Sequence, residues 1–517
     1  MSDSHLRDLS SRLRSELLDG FITSAEPGAV IAVYRDGAIV ASACAGLADT
    51  ATEVPLSEDS LMNIASISKQ IAATAVLIAA RGGTLDLDAD IRTLVPELLV
   101  PGVTLRNCLN HTAGLPDYLA VAYTVGMPEI EIAALEVFLD WVARVQTLEF
   151  SPGTQQSYSN TGYVLAALAL ERACGAPFPT VLAETVLQPL GMTESFSTTV
   201  LGEFHDGMAF SFTRDAGDQF VKEPMGVGEV APVRGVNGDG EIITSVNQFG
   251  AWQAFLLDGR VLGEDIRQQL LTRTVLNDGT VTSYGLGIAH ETQAHTSAVV
   301  HSGGMWGFSA YSIVDEASGI SIACFANRSG FSTSEAAWKA MHFATGFGDI
   351  AGHWYSTRTF MGARLEIEAN GDLAARSGLS EAPETVHWAG DQTWVGGDDF
   401  ARVELHAHGL EVVSSFDTPD HYARLEAVTG YPSALLGKYE EPVFGKEFEF
   451  EDREGEIWLC PPGRDAERVV PFGRRQGEWI GETSLGWILI DEQAGDRVRI
   501  GLGSFSTELL RAPADRS

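Results

Sequence analysis

The chain is poor in positive charge. Its 517 residues include 34 Lys and Arg against 70 Asp and Glu, which gives a formal net charge of −36. A surface of this sign repels phosphate backbones and anionic lipid headgroups. We therefore expect neither a nucleic acid nor a membrane as a partner. The acidic residues are spread along the chain and form no tail, which is typical of a solvated or salt-adapted surface.

Cysteines and long apolar runs are also scarce. The five cysteines are odd in number, widely spaced and without a Cys-x-x-Cys pair, which favours reduced thiols over disulfides. No apolar run of about 18 residues occurs, and the first residues lack the basic and apolar segments of a secretory signal. We expect a cytoplasmic protein. The histidines show no metal-binding spacing and the glycine loops no nucleotide-binding context, so no metal or organic cofactor is implied.

The length predicts more than one domain, because single cores stop growing near ~250–300 residues. After about residue 350 the long helical patterns give way to short alternating strands. Residues 350–355 and 434–439 open alike, each with a glycine two residues before an aromatic residue, which is a weak repeat. We predict an α+β domain over residues 1–345, then two small antiparallel β-barrels over residues 346–432 and 433–517.

A Ser-x-x-Lys tetrad opens a helix whose apolar spacing predicts that it is largely buried and ends at Gly82-Gly83. Ser66 and Lys69 are one turn apart and so reach the same face of this helix. A serine hydroxyl is a poor nucleophile unless a base lies beside it, and Lys69 is in reach to supply one. The same four residues also occur by chance as a capped, solvated helix start, so the tetrad alone decides nothing.

Two further segments have the composition of a cleft lining. Tyr158 and Asn160 lie between a Pro-Gly turn and an apolar helix, where Ser-Asn alone would be a helix cap. His301, Gly303 and Gly304 follow a predicted strand that would border the cleft, and the glycines let a substrate backbone approach closely. A histidine followed by glycines is otherwise an ordinary turn.

Two loops are less specific. His111 stands in the segment Asn-His-Thr-Ala-Gly, and we interpret it as a residue that holds this bend by hydrogen bonds rather than as a general base. The glycine-rich residues 235–240 precede a predicted helix and are a second loop that could line a cleft.

Together the three motifs, in this order and spacing, resemble those of the penicillin-recognising serine hydrolases. That family includes class C β-lactamases, DD-peptidases, D-aminopeptidases and related esterases. The resemblance extends over residues 25–345 and includes Asn-His-Thr-Ala-Gly-Leu-Pro and Phe-Ser-Pro-Gly. It implies a β-lactamase/DD-peptidase-like domain of two lobes, one an antiparallel sheet flanked by helices and one mostly helical, with the cleft between them.

The resemblance also implies roles for the motif residues. Ser66 would attack a carbonyl and form an acyl-enzyme, Lys69 would accept its proton, and Tyr158 would pass the proton to the leaving amine. Which of Lys69 and Tyr158 is the initial base stays open. Asn160 would bind the substrate amide.

His301 stands where many relatives carry the lysine of Lys-Thr-Gly. A neutral or partly protonated imidazole offers less fixed positive charge, which disfavours recognition of a free substrate carboxylate. The family implies an oxyanion hole from the backbone N–H of Ser66 and one on the strand after His301, which we expect near Met305 to Gly307.

Among the subfamilies, the histidine motif, the length and the two added β-domains resemble the D-aminopeptidases. In these, a loop of the last barrel enters the active site, and an acidic side chain there would pair with the substrate ammonium. Glu478 and Glu482 are the candidates for that carboxylate. Ala289 stands where we expect the D-aminopeptidases to place a polar residue that helps hold the substrate amine, and this departure leaves the amine anchor open. The predicted specificity loop otherwise consists of Gly473, Arg474, Arg475, Gln476, Gly477, Trp479, Ile480, Gly481 and Thr483.

The sequence thus favours a D-stereospecific aminopeptidase that releases an N-terminal D-amino acid from short peptides, amides or esters. A carboxylesterase or a weak β-lactamase or DD-peptidase of the same fold is the alternative. A β-lactam or peptidoglycan-fragment sensor that is acylated without turnover is a third reading. The resemblance also implies inhibition by β-lactams and a homodimer.

Overall fold

The computed structural model describes residues 9–345 apart from 216, 224–232 and 294–295. Beyond residue 345 it describes the strands given below and a few residues beside them. The described helices are α1 (Ser68–Arg81), α2 (Leu105–Leu109), α3 (Tyr118–Thr124), α4 (Glu129–Ile132), α5 (Leu135–Val142), α6 (Asn160–Cys174), α7 (Phe178–Leu182), α8 (Val246–Asp258), α9 (Glu264–Leu271) and α10 (Thr333–Thr345). A π-helical segment at Leu13–Leu18 precedes them.

Thirteen strands lie in the same part of the chain. They are β1 (Ala29–Arg35), β2 (Ala38–Ala45), β3 (Leu47–Asp49), β4 (Val54–Pro55), β5 (Met62–Asn63), β6 (Phe196–Ser197), β7 (Phe212–Arg214), β8 (Phe220–Lys222), β9 (Ile242–Thr244), β10 (Ala289–Gln293), β11 (Thr296–Met305), β12 (Phe308–Asp315) and β13 (Ile320–Ala326). The main antiparallel sheet has the order β10-β11-β12-β13-β1-β2. The first and last parts of this domain therefore meet at its centre.

The main sheet is covered on both faces, which explains why β1 is apolar almost throughout. Val30 and Ala32 of β1 enter the core that contains α1 and α8, whereas Ile31 and Val33 enter the core that contains the N-terminal segment and α10. Successive side chains of a strand point to opposite faces, so a strand between two layers must be apolar at every position. Asp36-Gly37 stands between two apolar runs and both residues tolerate positive φ, so the sequence predicts a hairpin there; the structure confirms it, with φ of 53° and 82° at the two residues.

The helical lobe is also as the apolar spacing predicts. Helix α1 ends at Arg81 and is capped by Gly82, and its first three turns are buried. Helix α6 ends at Cys174, where Gly175 adopts φ of 66° as a left-handed cap. Within the described residues no single helix is long and apolar enough to cross a membrane, although α6 and the segment Phe178–Leu187, bent by 81°, pass that test of length and composition as a pair.

Beyond residue 345 the strands form two separate antiparallel sheets. In chain order β14 to β20 form the first sheet, and the second has the order β24-β23-β22-β21-β29-β28-β27-β26-β25. The strands are β14 (Arg364–Ile367), β15 (Leu373–Arg376), β16 (Glu384–Gly390), β17 (Thr393–Val395), β18 (Arg402–His406), β19 (Gly409–Val413), β20 (Asp420–Tyr422), β21 (Gly437–Glu441), β22 (Lys446–Arg453), β23 (Glu456–Cys460), β24 (Glu467–Arg468), β25 (Val470–Arg475), β26 (Glu478–Thr483), β27 (Gly486–Asp491), β28 (Arg497–Leu502) and β29 (Phe505–Arg511). Closure of either sheet into a barrel, and the domain limits at 345 and 432, stay predictions.

The second of these sheets contacts the helical lobe. Strands β28 and β29 lie against α3, and Val125, just after that helix, is buried among the apolar side chains of the sheet. A Cβ on Gly126 would lie 2.3 Å from the carbonyl oxygen of Pro462, so the backbones are in direct contact there. The last sheet is thus tied to the lobe that carries α3.

Candidate active site

The proposed nucleophile lies on a turn that is fixed from several sides. Ser66 is the middle residue of a 3₁₀ turn directly before α1. The preceding Ala65 has φ of 46°, a left-handed conformation that L-residues adopt at a cost. The side chain of Asn63 accepts a hydrogen bond from the Ala65 N–H at 2.6 Å, and Ser68 Oγ accepts one from the Ile242 N–H at 3.1 Å. These bonds hold the strained turn, and with it the Ser66 hydroxyl.

The amine of Lys69 is surrounded by three oxygens. Its Nζ lies 2.9 Å from Ser66 Oγ, 2.7 Å from Asn160 Oδ1 and 2.6 Å from the carbonyl oxygen of Asp239. The amide and carbonyl oxygens can only accept, so they take two of the amine hydrogens. The third tetrahedral position points at Ser66 Oγ and holds a lone pair whenever the amine is neutral. The arrangement is therefore suited to removing the proton of Ser66.

Two buried carboxylates stand behind this amine. Asp117 accepts hydrogen bonds from the backbone N–H of Asn160 at 2.7 Å and of Ala120 at 3.2 Å. Asp239 accepts one from the hydroxyl of Tyr118 at 2.9 Å. Burial raises the pKa of Asp117 to about 6 and raises that of Asp239, while the charge of Lys69 opposes both shifts.

Neither carboxylate was singled out from the sequence. Asp239 lies in residues 235–240, which we predicted to line a cleft, so the glycine-rich composition was the available signal. Asp117 follows Gly-Leu-Pro and caps α3, where its side chain looks like an ordinary N-cap. Their importance depends on the position of Lys69, which is distant from both in sequence.

The Tyr-Ser-Asn segment lies directly against Lys69. The Nζ of Lys69 is 5.0 Å from the ring centre of Tyr158, which is within the range of a cation–π contact. Asn160 is the first residue of α6, and its side chain bonds to Nζ as described above. The structure therefore brings Ser66, Lys69, Tyr158 and Asn160 together, as the resemblance implied, although their catalytic roles stay predictions.

His111 supports the segment that carries Tyr158. Its carbonyl oxygen accepts a hydrogen bond from the Ser157 N–H at 2.9 Å, and its Nδ1 accepts one from the Ser159 N–H at 3.1 Å. The ring also packs on that of Tyr158, with centroids 4.2 Å apart. These contacts are those expected of a residue that holds a loop.

The other side of the cleft is the second half of β11. Strand β10 pairs with β11 only as far as Val300, so beyond that residue β11 has β12 as its described neighbour and one free edge. A Cβ on Gly303 would lie 2.3 Å from the carbonyl oxygen of Ile64, so only glycine allows the strand to approach the nucleophile turn this closely. The free edge of β11 thus lies beside Ser66.

The register between β11 and β12 corrects the expected position of the second oxyanion donor. Met305 pairs with Phe308 across a two-residue turn at Trp306-Gly307, whose φ values are 45° and 82°. The pair that flanks such a turn exchanges both backbone hydrogen bonds, so the N–H of Met305 is directed into the sheet. The N–H of Gly304, the alternate residue, points to the free edge instead. The donor expected near Met305 to Gly307 is therefore better placed at Gly304.

The imidazole of His301 is uncharged, whereas the sequence left open whether it is neutral or partly protonated. It is 1% exposed, with Nδ1 2.6 Å from the carbonyl oxygen of Ser302 and Nε2 2.9 Å from the hydroxyl of Tyr284. Burial, assisted by the charge of Lys69 and opposed by the bond to Ser302, lowers the pKa of His301 to about 3. Its imidazole is neutral at physiological pH, and both nitrogens have protein partners. Tyr284 belongs to a Tyr-Gly-Leu-Gly unit in which the sequence marked no site residue.

The position of Ala289 does not face the cleft. Ala289 pairs with Val300, so both side chains lie on the same face of the sheet, opposite to that of His301. It is fully buried in the core beside α10. In this chain the position therefore does not supply an anchor for a substrate amine, and the residue that holds the amine stays open.

The predicted specificity loop is described only as a hairpin. Gly473, Arg474 and Arg475 end β25, and Glu478 to Thr483 form β26, which contains Trp479, Ile480, Gly481 and Glu482. Gln476 and Gly477, which connect the two strands, lie outside the described residues. Entry of this hairpin into the cleft, and a role for Glu478 or Glu482 in binding an amine, stay predictions.

The buried carboxylate of Asp117 predicts a pH dependence. Protonation removes one acceptor from a group that receives two backbone N–H bonds and supports Asn160, so we expect kcat/KM to fall as the pH drops through about 6. Stability changes in the opposite direction: the raised pKa means that the folded state holds the proton more tightly, so Asp117 stabilises the fold at acid pH and this contribution is lost as pH rises through about 6.

The pH–rate profiles of the wild-type protein and of Asp117→Asn test this expectation. The amide has one acceptor instead of two, so the variant should be less active and should lose the limb near pH 6. The exposed Asp140→Asn in α5 is the matched control and should leave the profile unchanged. An unaltered limb in Asp117→Asn would show that another group titrates there.

Comparison with known proteins places this geometry in a family. The Beta-lactamase family model matches residues 15–345. The D-aminopeptidase of Cereibacter sphaeroides (strain ATCC 17029 / ATH 2.4.9) is 31% identical over 288 residues, 55% of this chain and 53% of that protein. The chain therefore spans about half the length of the first such relatives. The D-aminopeptidase of Brucella anthropi (strain ATCC 49188) is 26% identical in an alignment 490 residues long that covers 88% of this chain and 90% of the relative.

Solved structures show the same fold. The D-amino acid amidase from Ochrobactrum anthropi SV3, complexed with L-phenylalanine amide, has a TM-score of 0.53 at 22% identity, covering 67% of this chain and 99% of its own. The octameric penicillin-binding protein homologue from Pyrococcus abyssi has a TM-score of 0.56 at 17% identity, covering 99% and 100%. The family model matches well over half of the chain, as the motifs Ser66-x-x-Lys69 and Tyr158-x-Asn160 led us to expect. The chain therefore belongs to the beta-lactamase family, and it is similar to the D-aminopeptidases within it.

Proposed function

We propose that the protein is a serine hydrolase that forms an acyl-enzyme at Ser66 and releases an N-terminal D-amino acid from short peptides, amides or esters. The observation that carries the proposal is the amine of Lys69, 2.9 Å from Ser66 Oγ, with Asn160 Oδ1 and the Asp239 carbonyl taking its other two hydrogen-bonding positions. Such an amine, when neutral, directs its lone pair at Ser66, because its other two hydrogen-bond partners are oxygens that can only accept.

The reaction has two steps, acylation of Ser66 and hydrolysis of the acyl-enzyme. Neutral Lys69 takes the proton of Ser66 as Oγ attacks the substrate carbonyl, and the N–H groups of Ser66 and Gly304 stabilise the oxyanion. The C–N or C–O bond then breaks, the leaving group receives the proton by way of Lys69 or Tyr158, and an ester to Ser66 remains. Water attacks that ester, Ser66 regains a proton, and the acid is released.

The substrate class rests on the relatives and on the charge of the site. Several of the curated relatives are D-aminopeptidases, and one structural neighbour is a D-amino acid amidase. Neutral His301 gives no fixed positive charge for a substrate carboxylate, which favours amides and esters over substrates with a free carboxylate there. A β-lactam is a cyclic amide, so we also propose that it acylates Ser66.

Kinetics with a matched set of substrates test the proposal. We expect turnover of D-alanine p-nitroanilide with a burst of product, much slower turnover of the L-isomer, and loss of activity when the amine is acetylated. p-Nitrophenyl butyrate and a chromogenic cephalosporin are the comparison substrates. A preference for the plain ester by orders of magnitude, or no effect of acetylation, would reject the aminopeptidase in favour of an esterase, and acylation without turnover would favour a sensor.

A further inference from the structure

A buried tyrosine hydroxyl lies between two histidines at the strand side of the cleft. The Oη of Tyr284 is 2.9 Å from His301 Nε2 and 3.3 Å from His111 Nε2. All three residues are at most 2% exposed. None of them takes part in the proton transfers between Ser66 and Lys69 described above. These three hydrogen-bonded side chains therefore need a separate explanation.

The proton positions on His111 follow from its other nitrogen. Nδ1 accepts a hydrogen bond from the Ser159 N–H at 3.1 Å, so it carries no proton. A neutral imidazole then has its proton on Nε2, which makes His111 the donor to Tyr284. Burial, with the nearby charge of Lys69, lowers the pKa of His111 well below its ordinary value and so keeps the ring neutral.

His301 has the opposite tautomer. Its Nδ1 lies 2.6 Å from the carbonyl oxygen of Ser302, which can only accept, so Nδ1 carries a proton. Its Nε2 is then either a bare acceptor or the second donor of an imidazolium. A charge on this ring would be fully buried, which is costly, and the pKa of His301, lowered chiefly by burial, agrees that the ring is neutral. Nε2 therefore accepts from Tyr284.

Tyr163 provides the one competing acceptor for the Tyr284 proton among the interactions described. Its hydroxyl also interacts with Tyr284, and its own proton goes to the carbonyl oxygen of Leu109 at 2.6 Å. If Tyr284 donated to Tyr163 instead, its oxygen would lie 2.9 Å from His301 Nε2 with no proton between the two atoms, unless His301 were an imidazolium. The cost of that buried charge decides for donation to His301.

We propose that Tyr284 is a positioning residue that holds His301 as a neutral Nδ1–H imidazole, with His111 orienting the Tyr284 hydroxyl for this purpose. Both ring nitrogens of His301, at the edge of β11 that borders Ser66, then have hydrogen-bond partners: the Tyr284 hydroxyl and the Ser302 carbonyl oxygen. This side of the cleft consequently has no cation from His301, and substrates with a free carboxylate beyond the scissile bond are disfavoured. That last consequence rests on the proposed hydrolase function, whereas the tautomers do not.

NMR of the full-length protein with ¹⁵N-labelled histidine tests the tautomers directly. Two-bond ¹H–¹⁵N spectra of the wild type should show His301 neutral with the proton on Nδ1 and His111 neutral with the proton on Nε2, both without titration from about pH 5 to 8. The signals are assigned by their loss in His301→Gln and His111→Gln. An imidazolium or the reverse tautomer at His301 in the wild type would overturn the proposal without any need for a Tyr284 variant.

Tyr284→Phe tests the role of the hydroxyl. We expect the His301 Nε2 signal to move as it loses its donor, and His301 to begin to titrate at higher pH than in the wild type. Tyr34→Phe is the matched control, because it removes another fully buried hydroxyl, which donates to the Val246 carbonyl at 2.6 Å. An unchanged Nε2 signal in folded Tyr284→Phe would show that Tyr284 is not the donor.

Substrate preference gives the second readout. At pH 6 the ratio of kcat/KM for D-alaninamide over D-alanyl-D-alanine should fall by about fivefold in Tyr284→Phe, as expected for one partly screened charge. Tyr34→Phe should keep the wild-type ratio. If the wild type hydrolyses neither compound, the proposed function fails and the NMR result still stands. If both are hydrolysed and Tyr284→Phe leaves the ratio unchanged, the claim that Tyr284 disfavours substrates with a free carboxylate is contradicted.

Discussion

Replacement of Ser66 by alanine is expected to lower kcat/KM for D-alanine p-nitroanilide by a factor on the order of 10⁴–10⁶, because the covalent route through the acyl-enzyme is lost. The side chain is a single hydroxymethyl group on a turn held by Asn63 and Ser68, so the substitution should leave the fold intact. The measurements are steady-state turnover, the burst of p-nitroaniline, and the mass of the intact protein after exposure to a β-lactam. Both the burst and the covalent adduct should disappear.

Ser318→Ala is the matched control for that experiment. Ser318 is an exposed serine in the turn between β12 and β13, and its hydroxyl accepts a hydrogen bond from the Ile320 N–H at 3.3 Å. We expect wild-type turnover and an unchanged adduct in this variant. Turnover that survives in Ser66→Ala, with thermal stability equal to that of the wild type, would contradict the assignment of the nucleophile.

Replacement of Lys69 by methionine is expected to lower the acylation rate by about 10³–10⁴-fold, the upper range for removal of a general base. Methionine is similar in length and apolar, so it fills the volume of the fully buried lysine but cannot take a proton. It also leaves Asn160 Oδ1 and the Asp239 carbonyl without their donor, so some loss of stability should accompany the kinetic effect. Single-turnover acylation and thermal unfolding separate the two effects.

Lys69→Arg distinguishes the base from the charge. A guanidinium keeps the positive charge but is not deprotonated in proteins, so it cannot accept the proton of Ser66. We expect this variant to be as inactive as Lys69→Met. Substantial acylation by Lys69→Arg would instead assign the initial base to Tyr158, the alternative that the sequence leaves open. Lys339→Met, in α10 and outside the cleft, is the control for loss of one lysine and should retain activity.

The local elements and the order of the motifs can be predicted from the amino-acid sequence alone. The hairpin at Asp36-Gly37 and the ends of α1 and α6 could be predicted because each depends on residues next to one another: two that tolerate positive φ, or an apolar period that stops at a glycine. The pairing of Ser66 with Lys69 is of the same kind, since one helical turn brings the two side chains together.

The groups that surround those two side chains could not be predicted without the packing of the whole domain. The third partner of Lys69 is a carbonyl oxygen 170 residues away, and no side-chain pattern marks a backbone oxygen. The cleft-facing N–H of Gly304 depends on the register of β11 with β12, in which a shift of one residue would reverse every group. The neutral state of His301 depends on burial and on Tyr284, 17 residues earlier. Spacing along a chain predicts contacts within one element, whereas these contacts join separate elements and are set by how the elements pack.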